Sequence, residues 1–248
     1  MSRKDIGEVF DYTYDDSFDP ALTDRVLEHY FPGDELAGKE VLDAGCRVGD
    51  FSSALVRKGA RRVVGLDLSR GMLRQARAKL GQTGAAVTLV RHAAWPLPFD
   101  DGTFDVVTSL ESLEFMPHPE AVLGEMVRVL APGGVLLVTN RVGREARLLP
   151  GRAIPRERFR ALLSELGLGQ VDVKRWQVSY DLAAGRKAGP RPQAGGPAPW
   201  VPIRCPACGG VVDMGSGSAA GAVACGRCGR RYPVADGILD LVSRDEKP

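Results

Sequence analysis

The sequence predicts an α/β fold: a mostly parallel, doubly wound sheet covered by helices on both faces, followed by a small cysteine-held module. Three observations lead there. Short β-branched runs alternate with amphipathic helical runs from Glu40 to Asn140, a glycine turn follows the first of those runs, and four cysteines stand in two close pairs near the C-terminus. The 248 residues, 44% hydrophobic and 26% charged, have an ordinary globular composition, which excludes wholesale disorder and collagen-like repeats. Their number leaves room for one domain of about 150–200 residues plus a module. No apolar run approaches the ~20 residues needed to cross a bilayer, so no membrane partner is expected. Met1–Phe10 lacks the apolar stretch of a secretory leader, so the expected location is the cytoplasm.

The candidate strands are Glu40–Asp43, Arg62–Asp67, Ala86–Arg91, Phe104–Leu110 and Gly134–Asn140. Helical patterns lie between them. Phe51, Leu55 and Val56 precede Gly59, and Ser69 can cap a helix carrying Met72, Leu73, Ala76 and Leu80 before Gly81. Pro119 at a first turn leads into Val122, Met126, Val129 and Leu130, stopped by Pro132-Gly133. Strands that alternate with helices require right-handed crossovers, hence parallel pairing. Another helix is expected from Pro155 to Leu166. The strand-like run Val171–Tyr180 switches the parity of its apolar residues, which implies a bulge or break near Lys174-Arg175.

These signals divide the chain into an N-terminal helical cap (1–34), an α/β domain (35–182), a flexible Gly/Pro-rich linker (183–199), a cysteine module (200–243) and a tail (244–248). The cap, with Phe10, Tyr12, Tyr14, Phe18, Tyr30 and Phe31, is expected over the ligand edge of the sheet.

The first strand ends at Asp43 and is followed by Ala-Gly45-Cys-Arg-Val-Gly49, opening a helix. Such a turn lets backbone N–H groups approach a ligand at the carboxyl end of a parallel sheet, and Asp67 ends the second strand where a carboxylate can grip two ribose hydroxyls. A dinucleotide site wants Gly-x-Gly-x-x-Gly, so that a pyrophosphate can sit on a helix N-terminus. Here the spacing is Gly-x-x-x-Gly, and Asp43 would repel a pyrophosphate while suiting a ligand with an ammonium and a sulfonium. S-adenosylmethionine is therefore favoured over NAD or FAD.

Val41-Leu-Asp-Ala-Gly45-Cys46, Val64-Gly-Leu-Asp67-Leu-Ser69, Leu97-Pro-Phe99 with Thr103-Phe-Asp105-Val-Val107, and Arg128-Val-Leu-Ala-Pro-Gly-Gly134 occur in that order. Over about residues 35–180 the chain thereby resembles the class I S-adenosylmethionine-dependent methyltransferases, in the branch of ubiquinone/menaquinone, sterol and several tRNA and rRNA methyltransferases. The resemblance implies a Rossmann-like sheet of seven strands, with the cofactor across the ends of the first, second and fourth. It implies that Asp43, Gly45, Cys46, Arg47 and Gly49 surround the methionine part and that Asp67 holds the ribose. Leu68 and Ala94 would flank the adenine, with Ser109 and Leu110 beside the transferable methyl. Two positions depart from the family. Arg47 stands where it usually has Gly, and Ala93 where it usually has the Asp that accepts the adenine amino hydrogen.

Methyl transfer from a sulfonium is an in-line displacement, and a base is needed only when the acceptor must lose a proton. The candidates near the end of the fourth strand are Glu111, Glu114 and His118; the blander reading makes the glutamates a solvated loop or helix face and the histidine a turn residue. Asn/Asp-Pro-Pro-Tyr, which methyltransferases of planar amino nitrogens use, does not follow that strand.

Cys205-x2-Cys208 and Cys225-x2-Cys228, with 16 residues between, have the spacing of two facing zinc knuckles. Four thiolates leave no open position, so this zinc is expected to be structural. Lone Cys46 reads as a small buried apolar residue. Together with Cys205-Pro-Ala-Cys208, the stretch Tyr232-Pro-Val…Asp236-Gly-Ile238 resembles the zinc-ribbon activator subunit of tRNA, rRNA and release-factor methyltransferases. In that family the ribbon binds a separate catalytic subunit, often by extending its sheet. Here it is fused to the catalytic part, which implies docking in cis.

The formal charge of +2 conceals an asymmetry: residues 1–140 carry 15 basic against 21 acidic residues, and residues 141–233 carry 16 against 6. A basic C-terminal half suits a polyanion, through counterion release, or is simply a solvated Arg-rich surface. The leading expectation is a methyltransferase acting on tRNA or rRNA through Arg144, Arg147, Arg152, Arg156, Arg158, Arg227, Arg230 and Arg231. The alternatives are a small-molecule methyltransferase with a stabilising ribbon, and a non-catalytic scaffold.

Overall fold

The computed structural model describes residues 20–81, 87–144, 146, 150–190, 201–212, 214 and 221–242. Its elements follow the expected alternation: α1 (Pro20–Tyr30), β1 (Glu40–Ala44), α2 (Asp50–Arg57), β2 (Arg62–Asp67), α3 (Arg70–Leu80), β3 (Val87–Arg91), β4 (Phe104–Ser109), α4 (Pro119–Val129) and β5 (Leu130–Arg141). Then come α5 (Arg156–Glu165), β6 (Leu168–Trp176), β7 (Tyr180–Lys187), β8 (Ile203–Arg204), β9 (Val211–Val212), β10 (Ala222–Ala224), β11 (Arg231–Ala235) and β12 (Ile238–Asp240).

One ten-stranded sheet runs β10-β11-β12-β3-β2-β1-β4-β5-β7-β6. Strands β1 to β5 pair in parallel, β7 and β6 run antiparallel to β5 and to each other, and β12 adds in parallel to β3 through Ile238↔Leu89 to Asp240↔Arg91. Side chains alternate across each strand. Val41, Val63, Val106 and Leu137 therefore meet α1 and α2 through Leu27, Phe31, Phe51 and Leu55. Leu42, Val64, Val107 and Leu136 meet α4 and α5 through Leu123, Met126 and Phe159, and the cysteine module joins this second core with Ile203, Val212, Tyr232 and Leu239.

Local chemistry sets the boundaries. Ser69 accepts a hydrogen bond from the Met72 backbone N–H at 3.1 Å, as an N-cap should. Pro119 opens α4, but the helix already ends at Val129, and Pro132-Gly133, expected to stop it, lie within the next strand. Instead β5 starts at Leu130, four residues before the expected Gly134, with a register shift opposite Phe104/Val106. A Cβ at Gly134 would lie 2.8 Å from the carbonyls of Ala131 and Asp105, so only glycine fits this irregularity.

Three expectations are corrected. Pairing runs unbroken through Lys174-Arg175; the register shift lies between Gly169 and Asp172, and the chain reverses at Gln177–Ser179, where Gln177 has φ 55°. The expected linker at 183–199 starts too early, since residues 180–187 are β7, an interior strand between β5 and β6. Its residues looked like linker because they are small, and they are small because the neighbours press on them. A Cβ at Gly185 would stand 3.1 Å from the Leu168 Cβ. The rest of that linker, 191–199, lies outside the described residues. The described part of the cap, α1, packs against α2 on one sheet face and not over the ligand edge; Phe10, Tyr12, Tyr14 and Phe18 fall outside the described residues.

Candidate active site and four-cysteine cluster

The carboxyl ends of β1 and β4 border a narrow crevice of about 20 Å³, lined by Asp43, Gly45, Cys46, Arg47, Phe51 and Leu110. Asp43 is 2% exposed and accepts hydrogen bonds from Ser52 Oγ at 2.6 Å and Thr108 Oγ1 at 2.9 Å, so it ties β1 to α2 and β4. Burial pushes its pKa up to about 6, against the lowering pull of those two hydroxyls. Gly45 has φ 75°, and a Cβ there would fall 2.5 Å from Ser112 Cβ; the Ser112 hydroxyl in turn donates to the Gly45 carbonyl at 2.8 Å. Backbone thus stands where a side chain cannot. A Cβ at Gly49, whose φ is 80°, would lie 3.0 Å from Ala76 Cβ, a looser fit.

Asp67 accepts from the backbone N–H of Arg47 at 2.9 Å and of Ser69 at 2.8 Å, one on each oxygen. Burial raises its pKa, with those backbone bonds opposing. Each carboxylate oxygen has a second lone pair to offer a ligand. Beyond Asp67, Arg91 Nε donates to the Leu68 carbonyl at 3.0 Å, and Arg91 Nη1 reaches Asp240 of β12 at 3.2 Å. Ala94 is buried in the adjoining turn. The Leu97-Pro-Phe99 motif is held by the Arg128 motif: Arg128 donates to the carbonyls of Phe99 and Leu97, and Glu125 accepts from Leu97 N–H at 2.8 Å.

Arg47, at φ 54°, reaches across the mouth of the crevice to Glu111 Oε2 at 3.0 Å, and Gln177 Nε2 donates to Oε1 of the same carboxylate at 3.0 Å. The side chains of Arg47 and Glu111 are 23% and 16% exposed, which leaves the guanidinium a path toward solvent. Ser109 Oγ, buried at the end of β4, has no hydrogen-bond partner among the described residues. The open lone pairs of Asp67 and this orphaned hydroxyl suit the nucleoside sulfonium expected there, while Gly45 and Gly49 are required by the protein's own Ser112 and Ala76.

The expected bases are separated. Glu111 sits at the crevice mouth. Glu114, read as a solvated residue, is fully buried, accepting from Tyr180 and lying 3.4 Å from Arg141 Nη1. Burial, with the Glu114 carboxylate next, pushes the Tyr180 phenol well up, and the Arg141 guanidinium lies 4.8 Å from the Tyr180 ring centroid. His118 is exposed, edge-on to Trp95 at 5.7 Å, and touches neither glutamate. Sequence reasoning missed Arg141, Gln177 and Tyr180. Arg141 directly follows the expected fifth strand, a usable signal; the other two were hidden by the misplaced hairpin.

The Sγ atoms of Cys205, Cys208, Cys225 and Cys228 all lie within 4.8 Å of one another, with Cys208–Cys225 at 3.5 Å and Cys205–Cys228 at 3.8 Å. A tetrahedral thiolate site with metal–sulfur bonds of about 2.3 Å requires sulfurs roughly 3.8 Å apart. Backbone N–H groups of Gly210 and Arg227 point at Cys208 and Cys225 sulfurs, and a Cβ at Gly210 would meet Arg227 Cβ at 2.6 Å. Cys46 is buried and apart from this cluster. Four of the arginines named for nucleic acid are engaged within the chain: Arg156 with Asp181, Arg158 with Glu120 and Glu165, Arg152 with the Phe115 carbonyl and Arg227 with that of Cys208; Arg144, Arg230 and Arg231 are exposed. Arg147 lies outside the described residues.

Residues 42–138 match the family of methyltransferase domains. Methyltransferase GfsG of Streptomyces halstedii is 39% identical over 125 residues, half of this chain and 44% of that protein. Ubiquinone biosynthesis O-methyltransferase of Psychrobacter arcticus is 41% identical over 109 residues, 42% of either chain. The chain thus spans less than half the length of these curated relatives. Phosphoethanolamine N-methyltransferase 2 of Haemonchus contortus, solved with S-adenosyl-L-methionine, superposes with a TM-score of 0.57 at 16% identity, over 68% of this chain and 53% of that one. This chain has that Rossmann-like fold. Among the described residues no helix is long and apolar enough to cross a membrane.

Proposed function

We propose that this chain transfers a methyl group from S-adenosylmethionine to a small-molecule acceptor by in-line displacement. The observation that carries the reading is the turn at Gly45, where backbone replaces any side chain beside Ser112 while Asp67 stands at the next strand end with lone pairs to offer. The cofactor supplies, when bound, a methyl group already activated on sulfur. The chain's own residues then have to hold and orient. Asp67 takes the ribose hydroxyls, Leu68 and Ala94 flank the adenine, and Gly45, Cys46, Arg47 and Gly49 surround the methionine part near Asp43. Ser109 and Leu110 border the methyl. Holding the acceptor ~3–3.5 Å from it supplies most of the acceleration. Glu111, fixed by Arg47 and Gln177, is the carboxylate nearest to this mouth that can accept a proton from the acceptor. Glu114 is a positioning residue, acting through Tyr180 and Arg141, and His118 takes no part.

The four cysteines are assigned a structural zinc. The parallel pairing of β12 with β3 supports docking of the module in cis, on its own catalytic domain. RNA is the second reading for the acceptor, and the internal ion pairs of its arginines favour a small molecule over it. Tritiated methyl transfer from labelled cofactor into fractionated metabolite, RNA and protein pools tests the choice. Label in the metabolite pool is expected; label in RNA alone would replace the proposed acceptor class.

A further inference from the structure

A second cavity, of about 640 Å³, opens at the carboxyl end of β5, beyond the crevice described above. Because β5 is the immediate neighbour of β4, this cavity lies one strand over from Ser109 and Leu110, on the side away from β1. Its volume falls within the range of small-molecule sites, about 300–1,000 Å³.

The lining has two characters. Val142 and Ile154 supply an apolar wall, and buried Asn140 fixes it, donating from Nδ2 to the Ile154 carbonyl at 2.7 Å and accepting from the Ile154 N–H at 3.1 Å. Arg141, Arg156 and Arg175 supply cations from three separate elements, faced, among the described residues, by the carboxylate of Asp181. Asp181 is fully buried and already held by Arg156 through Nε and Nη2; Arg156 Nη1 makes no hydrogen bond to the described residues. Arg175 stands 3.8 Å from Asp181, a contact too long for a hydrogen bond, and its side chain is 53% exposed. Glu114, which is not part of the lining, pairs with Arg141 at 3.4 Å; counting both carboxylates against the three guanidinium groups, the described residues still leave an excess positive charge here. Guanidinium groups that converge on a hollow with spare N–H donors suit a planar or tetrahedral oxyanion.

We infer that this cavity binds the acceptor through an anionic group, a carboxylate or phosphate monoester held by Arg156 and Arg175, with the apolar body of the molecule on Val142 and Ile154. The inference rests on the methyl-transfer reading for the role of the bound molecule. The cavity then orients the acceptor so that its reacting atom points back along the edge to the methyl beside Ser109.

Calorimetric titration of the full chain with phenyl phosphate, benzoate and uncharged benzyl alcohol tests it, with S-adenosylhomocysteine titrated in parallel. Both anions should bind more tightly than benzyl alcohol. Arg175→Gln, which disturbs no hydrogen bond, should weaken the anions about five- to tenfold, the usual effect of losing a charge-assisted contact, and leave S-adenosylhomocysteine binding within about twofold. Arg156→Gln would strand buried Asp181 and risks unfolding, so Arg156→Lys serves as the second variant and should weaken the anions as well. Equal binding of all three probes, or anion binding indifferent to both variants, would overturn the inference while S-adenosylhomocysteine binding stands. Anion binding in a chain that ignores S-adenosylhomocysteine would overturn the acceptor role together with the transferase reading.

Discussion

The ligand edge of this sheet has two halves built in different ways. The half proposed for the cofactor, around Asp43, Gly45 and Asp67, is made of backbone turns between parallel strands, and its carboxylates accept from neighbours such as Ser52 and the Ser69 N–H. The half proposed for the acceptor is made of side chains brought from distant places: Glu111, Glu114, Arg141, Arg175, Tyr180 and Asp181, meeting where an antiparallel hairpin closes against β5. Local backbone geometry can be shared by many relatives that bind one cofactor. An assembly of long side chains can change acceptor without disturbing the fold. That difference agrees with fold-level likeness saying little about substrate.

The sharpest way to break the comparison is at Gly45. An alanine there would combine a left-handed backbone with a methyl group 2.5 Å from Ser112, so Gly45→Ala should cost about 2–4 kcal/mol of stability and remove S-adenosylhomocysteine binding, read by denaturant unfolding and calorimetry. Anion binding in the acceptor half should survive in whatever fraction remains folded. Equal loss in both halves would mean that they are one unit.

A smaller effect separates the buried carboxylate from its surroundings. Because burial raises the Asp43 pKa from 3.8 to about 6, the folded chain binds more protons than the unfolded chain between those values. Asp43 therefore costs stability as pH rises from about 4 through 6, up to roughly 3 kcal/mol, at 1.36 kcal/mol per unit. Asp43→Asn removes that term. Its stability relative to the parent chain should improve steadily over this window, measured by urea unfolding at a series of pH values. A difference that does not change with pH would show that Asp43 is not desolvated in solution.

Legibility followed the same division. The crevice was readable because its parts are close in sequence: five residues from Gly45 to Gly49, and an aspartate at the end of the next strand. The four cysteines were readable because sulfur geometry demands two short loops, which spacing alone reveals. The acceptor half was not. Glu114 looks solvated in a loop sequence, and nothing local says that Tyr180, 66 residues on, will cover it. The small residues Ala183, Ala184 and Gly185 read as linker, although they are small because β7 is squeezed between β5 and β6. The outer edge fell between these cases. The ribbon-like motif suggested an added strand, but only the register Asp240↔Arg91 reveals that the cysteine module reaches the Leu68 carbonyl through one arginine.

The account depends most on Asp67 gripping a nucleoside at the end of β2. Calorimetry of the full chain with S-adenosylhomocysteine, beside Asp67→Ala, tests it directly. The parent should bind with measurable heat, and the variant should bind about 10- to 100-fold more weakly, the loss expected when a carboxylate gives up hydrogen bonds to a diol. No heat from the parent at millimolar ligand, with the chain folded, would contradict the account.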